Sequence, residues 1–260
     1  MKSLIGSTDL LFITLDTLRY DAAQHAWETG QLTTFAPYLS TAGWEKRHTP
    51  ASFTYAAHQA FFAGFLPTPT TPGPHPRRFA AKFAGSVSTT DETFLFDEAT
   101  LPEALSARGY HTICIGGTGF FSQQSELARV LPGFFKEAHW RTELGVTCRT
   151  STEHQVEQAL RSLDAVANQR AFLFVNISAI HQPNWFHGAT DGPDTLATHT
   201  AALVAVDRAL KPLLDRMKRR APTFAIICSD HGTAYGEGGH TGHRLGHEVV
   251  WNVPYTEFML

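Results

Sequence analysis

Cysteine is scarce. The 260 residues hold three, Cys114, Cys148 and Cys228, an odd number with no C-x-x-C pair. That excludes a disulfide framework and favours a reducing compartment, read here as the cytoplasm. Cys114 and Cys228 fall inside apolar runs, where a thiol serves as a small buried hydrophobe. Long hydrophobic stretches are missing too, and no segment has the ~20 apolar residues of a membrane span. The short N-terminal run is bracketed by Asp9 and Asp16 and lacks a small-residue cleavage site, so it reads as a strand and not as a signal peptide. Neither sign of charge dominates. With 21 Lys and Arg against 24 Asp and Glu, the net charge of −3 offers no basic surface for nucleic acid and no polybasic membrane anchor. Nucleic acid and membrane are therefore not expected partners, and nothing in the sequence marks an oligomeric state.

What is present is alternation. Continuous apolar runs at 10–15, 111–117, 171–177 and 223–230 have the character of buried parallel strands. Between them lie helical stretches from about 55 to Gly64, at 100–110 ending in Gly109, at 151–166 and within 194–220. The segment 68–78, TPTTPGPHPRR, is too rich in proline for regular structure and reads as a surface loop, with His75, Arg77 and Arg78 as a solvated set or a lid over an anion. The final VVWNVPYTEFML reads as one or two edge strands. With no linker, repeat or low-complexity tract, residues 1–260 are expected to form one α/β domain, a mostly parallel sheet with helices on both faces.

In such sheets ligands bind beyond the carboxyl ends of the strands. Asp16 follows the first strand, and Asp230 with His231 follow the fourth. The stretch CSDHGTAYGEGGHTGH (228–243) then carries Gly232, Gly236, Gly238, Gly239 and Gly242, with His240 and His243 among them. Two carboxylates and an imidazole brought to one sheet edge would make most of a shell for a divalent ion. Zn or Mn suits such oxygen and nitrogen donors better than Ca or Mg. Taken singly, Asp16 reads equally as a helix cap and Asp230 as a turn residue. Thr54, just before the helical run at 55, is either a plain N-cap or a hydroxyl in the positive end of the dipole that a metal would make nucleophilic. His240, His243 and His247 have helical spacing, but the glycines favour a loop around a ligand.

These residues carry a family resemblance. LLFITLDTLRYDA resembles the opening strand and first metal-ligand Asp of the sulfatase and alkaline-phosphatase superfamily. TYAAHQAFFAGFLP resembles its nucleophile segment, and CSDHG its Asp-His metal pair. With LSARGYHTICIGG, AFLFVNISAIHQP and the later VP also resembling family segments in the expected order, the likeness spans about residues 8 to 256. The resemblance implies an alkaline-phosphatase-like three-layer α/β/α sandwich. It also implies Asp16, Thr54, Asp230 and His231 as ligands of one metal ion, with Thr54 as nucleophile. His243, twelve residues after His231, resembles a histidine that the phosphoethanolamine transferases of the superfamily place near the leaving group or a second ion, and His240 is a weaker candidate for that role. His181 in AIHQP resembles a substrate-contacting His-x-Pro, and Arg19 matches a structural ion-pair position.

The departures narrow the chemistry. Genuine sulfatases convert a Cys or Ser in C/S-x-P-x-R to formylglycine, but here Thr54, Ala56 and His58 stand at those three places. Their GKWH is replaced by GGTG, with Gly117 and Gly119 where the sulfate-binding Lys and His would stand. The Asp of a second metal site falls on Ile177, with Asn176 and Ser178 the nearest polar groups. The expected function is a metal-dependent hydrolase or transferase acting through Thr54 on a phosphate ester or phosphonate, with a small-molecule or modified-peptide anionic ester as substrate. The alternatives are a sulfate-ester hydrolase working without formylglycine and a catalytically degenerate, metal-stabilised binding protein.

Overall fold

The structure, a computed structural model, describes residues 3–64, 77–79, 93–95, 99–188 and 191–260. Most of the proline-rich stretch at 68–78, including His75, lies outside these residues. Seven strands form the central sheet: β1 (Asp9–Leu15), β2 (Glu45–His48), β3 (His111–Ile115), β4 (Glu137–His139), β5 (Ala171–Ile177), β6 (Thr223–Cys228) and β7 (Asn252–Met259). Their order is β2-β7-β6-β1-β5-β3-β4. β6, β1, β5, β3 and β4 are parallel, while β7 pairs antiparallel with both β6 and β2.

The helices are α1 (Tyr20–Glu28), α2 (Thr54–Ala63), α3 (Leu101–Ala107), α4 (Glu126–Val130), α5 (Ser151–Ala165), α6 (Leu196–Arg220) and α7 (Glu248–Trp251). Side chains alternate across the sheet, and the two faces differ in kind. On one, Leu11, Ile13 and Leu15 of β1 and Leu173, Val175 and Ile177 of β5 join α1, α5 and α6 in an aliphatic core. On the other, Phe12, Phe172 and Phe174 meet Phe62 of α2, Leu105 of α3 and Phe121 in an aromatic one. Phe62 packs edge-on against Phe174 and Phe135, with centroids 5.1 and 5.4 Å apart. Such pairs add about 0.5–1.5 kcal/mol each beyond simple burial. The result is the expected three-layer sandwich.

Two strands of the central sheet escaped the sequence reading, and so did Arg77–Phe79 and Thr93–Leu95, a parallel pair outside it that gives Arg77 and Arg78 strand pairing where a loop was expected. β2 is the fully exposed EKRH, and β4 is the three-residue EAH; neither has apolar periodicity. The terminal strand is not an edge, because β2 covers it and β7 lies inside the sheet. The fourth run ends as a strand at Cys228, two residues short of Asp230.

Candidate active site

The register of the sheet builds the site. Thr14 on β1 lies between Asn176 on β5 and Cys228 on β6 as their direct partner. Continuing the alternation by two residues carries Asp16 and Asp230 to the same face and the same edge. One ligand atom from each of Asp16, Asp230 and His231 lies within 4.8 Å of the others, and all three residues are fully buried. α2 lies across the aromatic face, and its first residue delivers Thr54 to this point. Thr54 Oγ1 is 3.4 Å from Asp16 Oδ2 and 3.3 Å from His231 Nε2.

Both capping readings fail here. Thr54 is the first helical residue; Phe53 is the N-cap, and it makes no side-chain cap. α1 begins at Tyr20 after Arg19, which also gives no side-chain cap, so Asp16 caps nothing. α2 instead leaves the N–H groups of its first turn free at the positive end of its dipole, beside the Thr54 hydroxyl.

The shell is tightly organised. Asn176 Nδ2 donates to Asp16 Oδ2 at 3.2 Å, while its own Oδ1 accepts from the N–H of Thr118. Asp230 Oδ1 accepts from the N–H groups of Thr17 and His231 at 3.2 and 3.0 Å. His231 Nδ1 lies 2.9 Å from the carbonyl of Gly232, which fixes the proton there and leaves the Nε2 lone pair facing Thr54. Asp16 Oδ1 and Asp230 Oδ2 are buried without any partner. Burial, and then the charge of Asp230, push Asp16 up to about 6. Burial likewise pushes Asp230 up to about 7 against the pull of its N–H donors. Two full charges at that separation repel by roughly 3 kcal/mol at an effective dielectric of about 20. Orphaned oxygens, mutual repulsion and an inward lone pair fit a divalent cation, which Asp16, Asp230 and His231 could hold between them.

The histidines divide. His243 lies with its ring centroid 4.5 Å from that of His231, and His181 lies 5.6 Å beyond His243. Burial, followed by the fields of His231, His181 and Arg244, lowers His243 to about 3. His240 stays at the exposed tip of the glycine loop, near His247, and the structure does not bring it to the carboxylates. The loop is a short hairpin, with Ala234–Tyr235 paired to Thr241–Gly242, and not a helix. Arg19 is an ion-pair partner as expected, buried between Asp21 and Glu237 of that loop.

Three residues of the site were not assigned to it from sequence. His58 is fully buried under the centre, with Nδ1 2.7 Å from the Thr54 carbonyl and Nε2 3.0 Å from Thr14 Oγ1. Burial lowers it to about 3, so it is a neutral spacer there. Asn176 was noted only as a nearby polar group. Thr17 sits at φ 62°, costly for a β-branched residue, with its hydroxyl buried and unpartnered. A polar residue two places beyond an inward-facing aromatic is the signal that would have found Asn176, whereas Thr17 has none.

Gly232 shows how little room the centre has. A Cβ there would meet the Val249 carbonyl oxygen at 2.0 Å and Arg19 Cγ at 3.3 Å. Gly232→Ala is expected to cost about 1–3 kcal/mol of stability through overpacking. Because it must also displace His231, urea melts should fall together with cation affinity.

The sulfatase family model matches residues 8–256. The chain belongs to the sulfatase family. No curated protein matches it in sequence. The C-terminal periplasmic domain of the phosphoethanolamine transferase EptC from Campylobacter jejuni is 11% identical, with a TM-score of 0.62 over 97% of this chain and 79% of that one. The zinc complex of the corresponding Escherichia coli domain gives 13%, 0.63, 97% and 72%. The soluble domain of the Neisseria meningitidis lipooligosaccharide phosphoethanolamine transferase A gives 12%, 0.59, 98% and 77%. At these identities the likeness is one of fold.

The comparisons correct the expected compartment. Two of these structural neighbours are periplasmic domains and the third a soluble domain, so the fold points away from the cytoplasm. The cysteines behind that expectation carry no information on the point, since buried Cys114 and Cys228 are inert in either setting. Among the described residues no helix is long and apolar enough to cross a membrane.

Proposed function

We propose that this sulfatase-family chain is a metal-dependent phosphotransferase or phosphohydrolase in which Thr54 attacks a phosphate ester or phosphonate, with residues 1–260 acting as one catalytic unit. The observation that carries the reading is the Thr54 hydroxyl itself. It caps nothing, sits at the head of α2, and lies between Asp16 Oδ2 and His231 Nε2. A bound divalent cation, Zn or Mn by its donor set, would lower the pKa of the hydroxyl and offset charge on the phosphoryl oxygens.

The residues supply the rest. Thr54 Oγ1 donates its hydrogen bond to Asp16 Oδ2, and the proton leaves in that direction as Oγ1 bonds to phosphorus. The free N–H groups of the first turn of α2 face the oxygens that gather charge. The bond to the leaving oxygen breaks on the side of His243 and His181, whose ring N–H groups hydrogen-bond that oxygen until it takes a proton from solvent. Water or an acceptor alcohol then attacks phosphorus, giving up its proton toward the neutral His243 and His181, and the Oγ1–phosphorus bond breaks as Thr54 recovers the proton passed to Asp16. The substrate is an anionic ester, a class that includes the phosphoethanolamine group named for the transferases above.

The formylglycine route has no residue to use, since Thr54 replaces the modifiable Cys or Ser. Turnover of p-nitrophenyl phosphate, bis-p-nitrophenyl phosphate and p-nitrophenyl sulfate with added Zn²⁺ or Mn²⁺ tests the reading. Phosphate turnover should exceed sulfate turnover by more than about a hundredfold, a barrier difference of roughly 3 kcal/mol. Faster sulfate turnover would replace it with the sulfatase reading, and no turnover at all with that of a binding protein.

A further inference from the structure

We propose that Arg244 is a substrate-binding residue, its guanidinium taking the oxygens of a tetrahedral oxyanion brought to Thr54. The inference rests on the reading above only in needing an oxyanion ester as ligand.

The backbone raises the question. Arg244 has φ 70°, in the left-handed region. The same loop meets that demand four times with glycine, at Gly236, Gly238, Gly239 and Gly242. Only here does it keep a long side chain, at a strain of about 1–3 kcal/mol. Stability does not explain the exception. Arg244 is exposed, and among the described residues no carboxylate lies within ion-pair distance. Its guanidinium carbon lies 5.6 Å from the centroid of the Phe53 ring. An exposed cation–π contact contributes about 0.5–1 kcal/mol, at best the lower edge of the strain.

Position supplies the reason. The Arg244 N–H donates to the Ser52 carbonyl at 2.9 Å, tying the loop to the chain two residues before Thr54. Phe53 is the N-cap of α2, so the guanidinium lies over the ring of the residue immediately before Thr54. Phe53 also leans on Phe120, centroids 6.3 Å apart, giving the cation a fixed platform. A planar, permanently charged group with paired N–H donors suits phosphate or sulfate oxygens in a way a point charge does not. Gly117 and Gly119 offer no side-chain cation to an oxyanion, and Arg244 supplies one.

Arg244→Gly and Arg244→Asn both accept a left-handed backbone, which separates binding from folding. Zn²⁺-loaded wild type and variants are titrated calorimetrically with inorganic phosphate and, separately, with sodium sulfate. The expected result is a Kd for phosphate raised at least about tenfold, one factor of ten being 1.4 kcal/mol, with Tm unchanged or higher. Arg244→Lys should recover only part of the affinity. Variant affinities within twofold of wild type, no phosphate binding by the wild type, or a Tm lowered by many degrees in both variants each overturn the assignment. Wild-type turnover of a phosphate ester with Arg244→Gly unchanged in KM and Kd sinks this inference alone. Arg244-dependent oxyanion affinity without any turnover sinks only the proposed function.

Discussion

Thr54→Val is expected to cut turnover of an aryl phosphate by at least about a thousandfold, some 4 kcal/mol of barrier, while leaving the fold intact. The two halves of that expectation have separate causes. Valine keeps the shape of threonine and removes only the hydroxyl. That hydroxyl caps no helix and makes only long contacts, 3.3 and 3.4 Å, so its loss leaves no strong hydrogen bond broken. Chemistry loses the attacking atom outright, and what remains is direct attack by water held near the same shell. Thr54→Ser should retain most of the rate, because the primary hydroxyl can reach the same point. Acid-quenched protein should carry one phosphoryl group on Thr54 in the wild type and none in Thr54→Val. A valine variant within tenfold of wild type would mean that some other group attacks.

The sheet edge was legible because the alternation of apolar runs is itself the physics of a parallel sheet. Asp16 and Asp230 could be placed together because both follow strands that must end at the same edge. The sequence cannot, however, say that Thr14 faces Asn176 and Cys228. That register brings Asn176 against Asp16, and it is set by long-range pairing. His58 was read as a substitute for a family arginine, and its burial under Thr54 follows from where α2 lands on the aromatic face. β2 was invisible because a charged edge strand is stabilised by its neighbour and not by its own composition. His240 is a weaker candidate than His243 in the sequence only through its resemblance, since both are histidines in one glycine loop. The hairpin turns one outward and the other toward His231, and three residues of spacing in a loop do not foretell which.

In a chelator at pH 8, Asp230→Asn is expected to be more stable than the wild type, an inversion of what loss of a buried charged residue usually brings. Asp16 and Asp230 lie well above their ordinary 3.8, at about 6 and about 7, through burial and, for Asp16, the charge of its neighbour. A carboxyl raised on folding binds more protons in the native chain than in the unfolded one, so its contribution falls as pH rises from about 4 to about 7 and is constant above that range. Three units for Asp230 amount to a penalty on the order of 4 kcal/mol. Asparagine removes this penalty, and its side-chain oxygen can still accept from Thr17 and His231, while its NH₂ replaces an oxygen that has no partner. The buried histidines pull the other way. His58, His199 and His243, each lowered to about 3, weaken the fold as pH drops below about 6.5. Both proteins contain all three, so that trend cancels in the comparison. Urea melts at pH 4, 6 and 8 should therefore show an advantage for Asp230→Asn of about 3 kcal/mol at pH 8, shrinking to nothing near pH 4. Adding Zn²⁺ or Mn²⁺ at a hundred times its Kd should stabilise the wild type by about 2.7 kcal/mol and the variant far less, erasing most of that advantage. Equal stabilisation of both proteins, or a variant weaker than the wild type in chelator at pH 8, would mean that the two buried carboxylates are not held together for a cation.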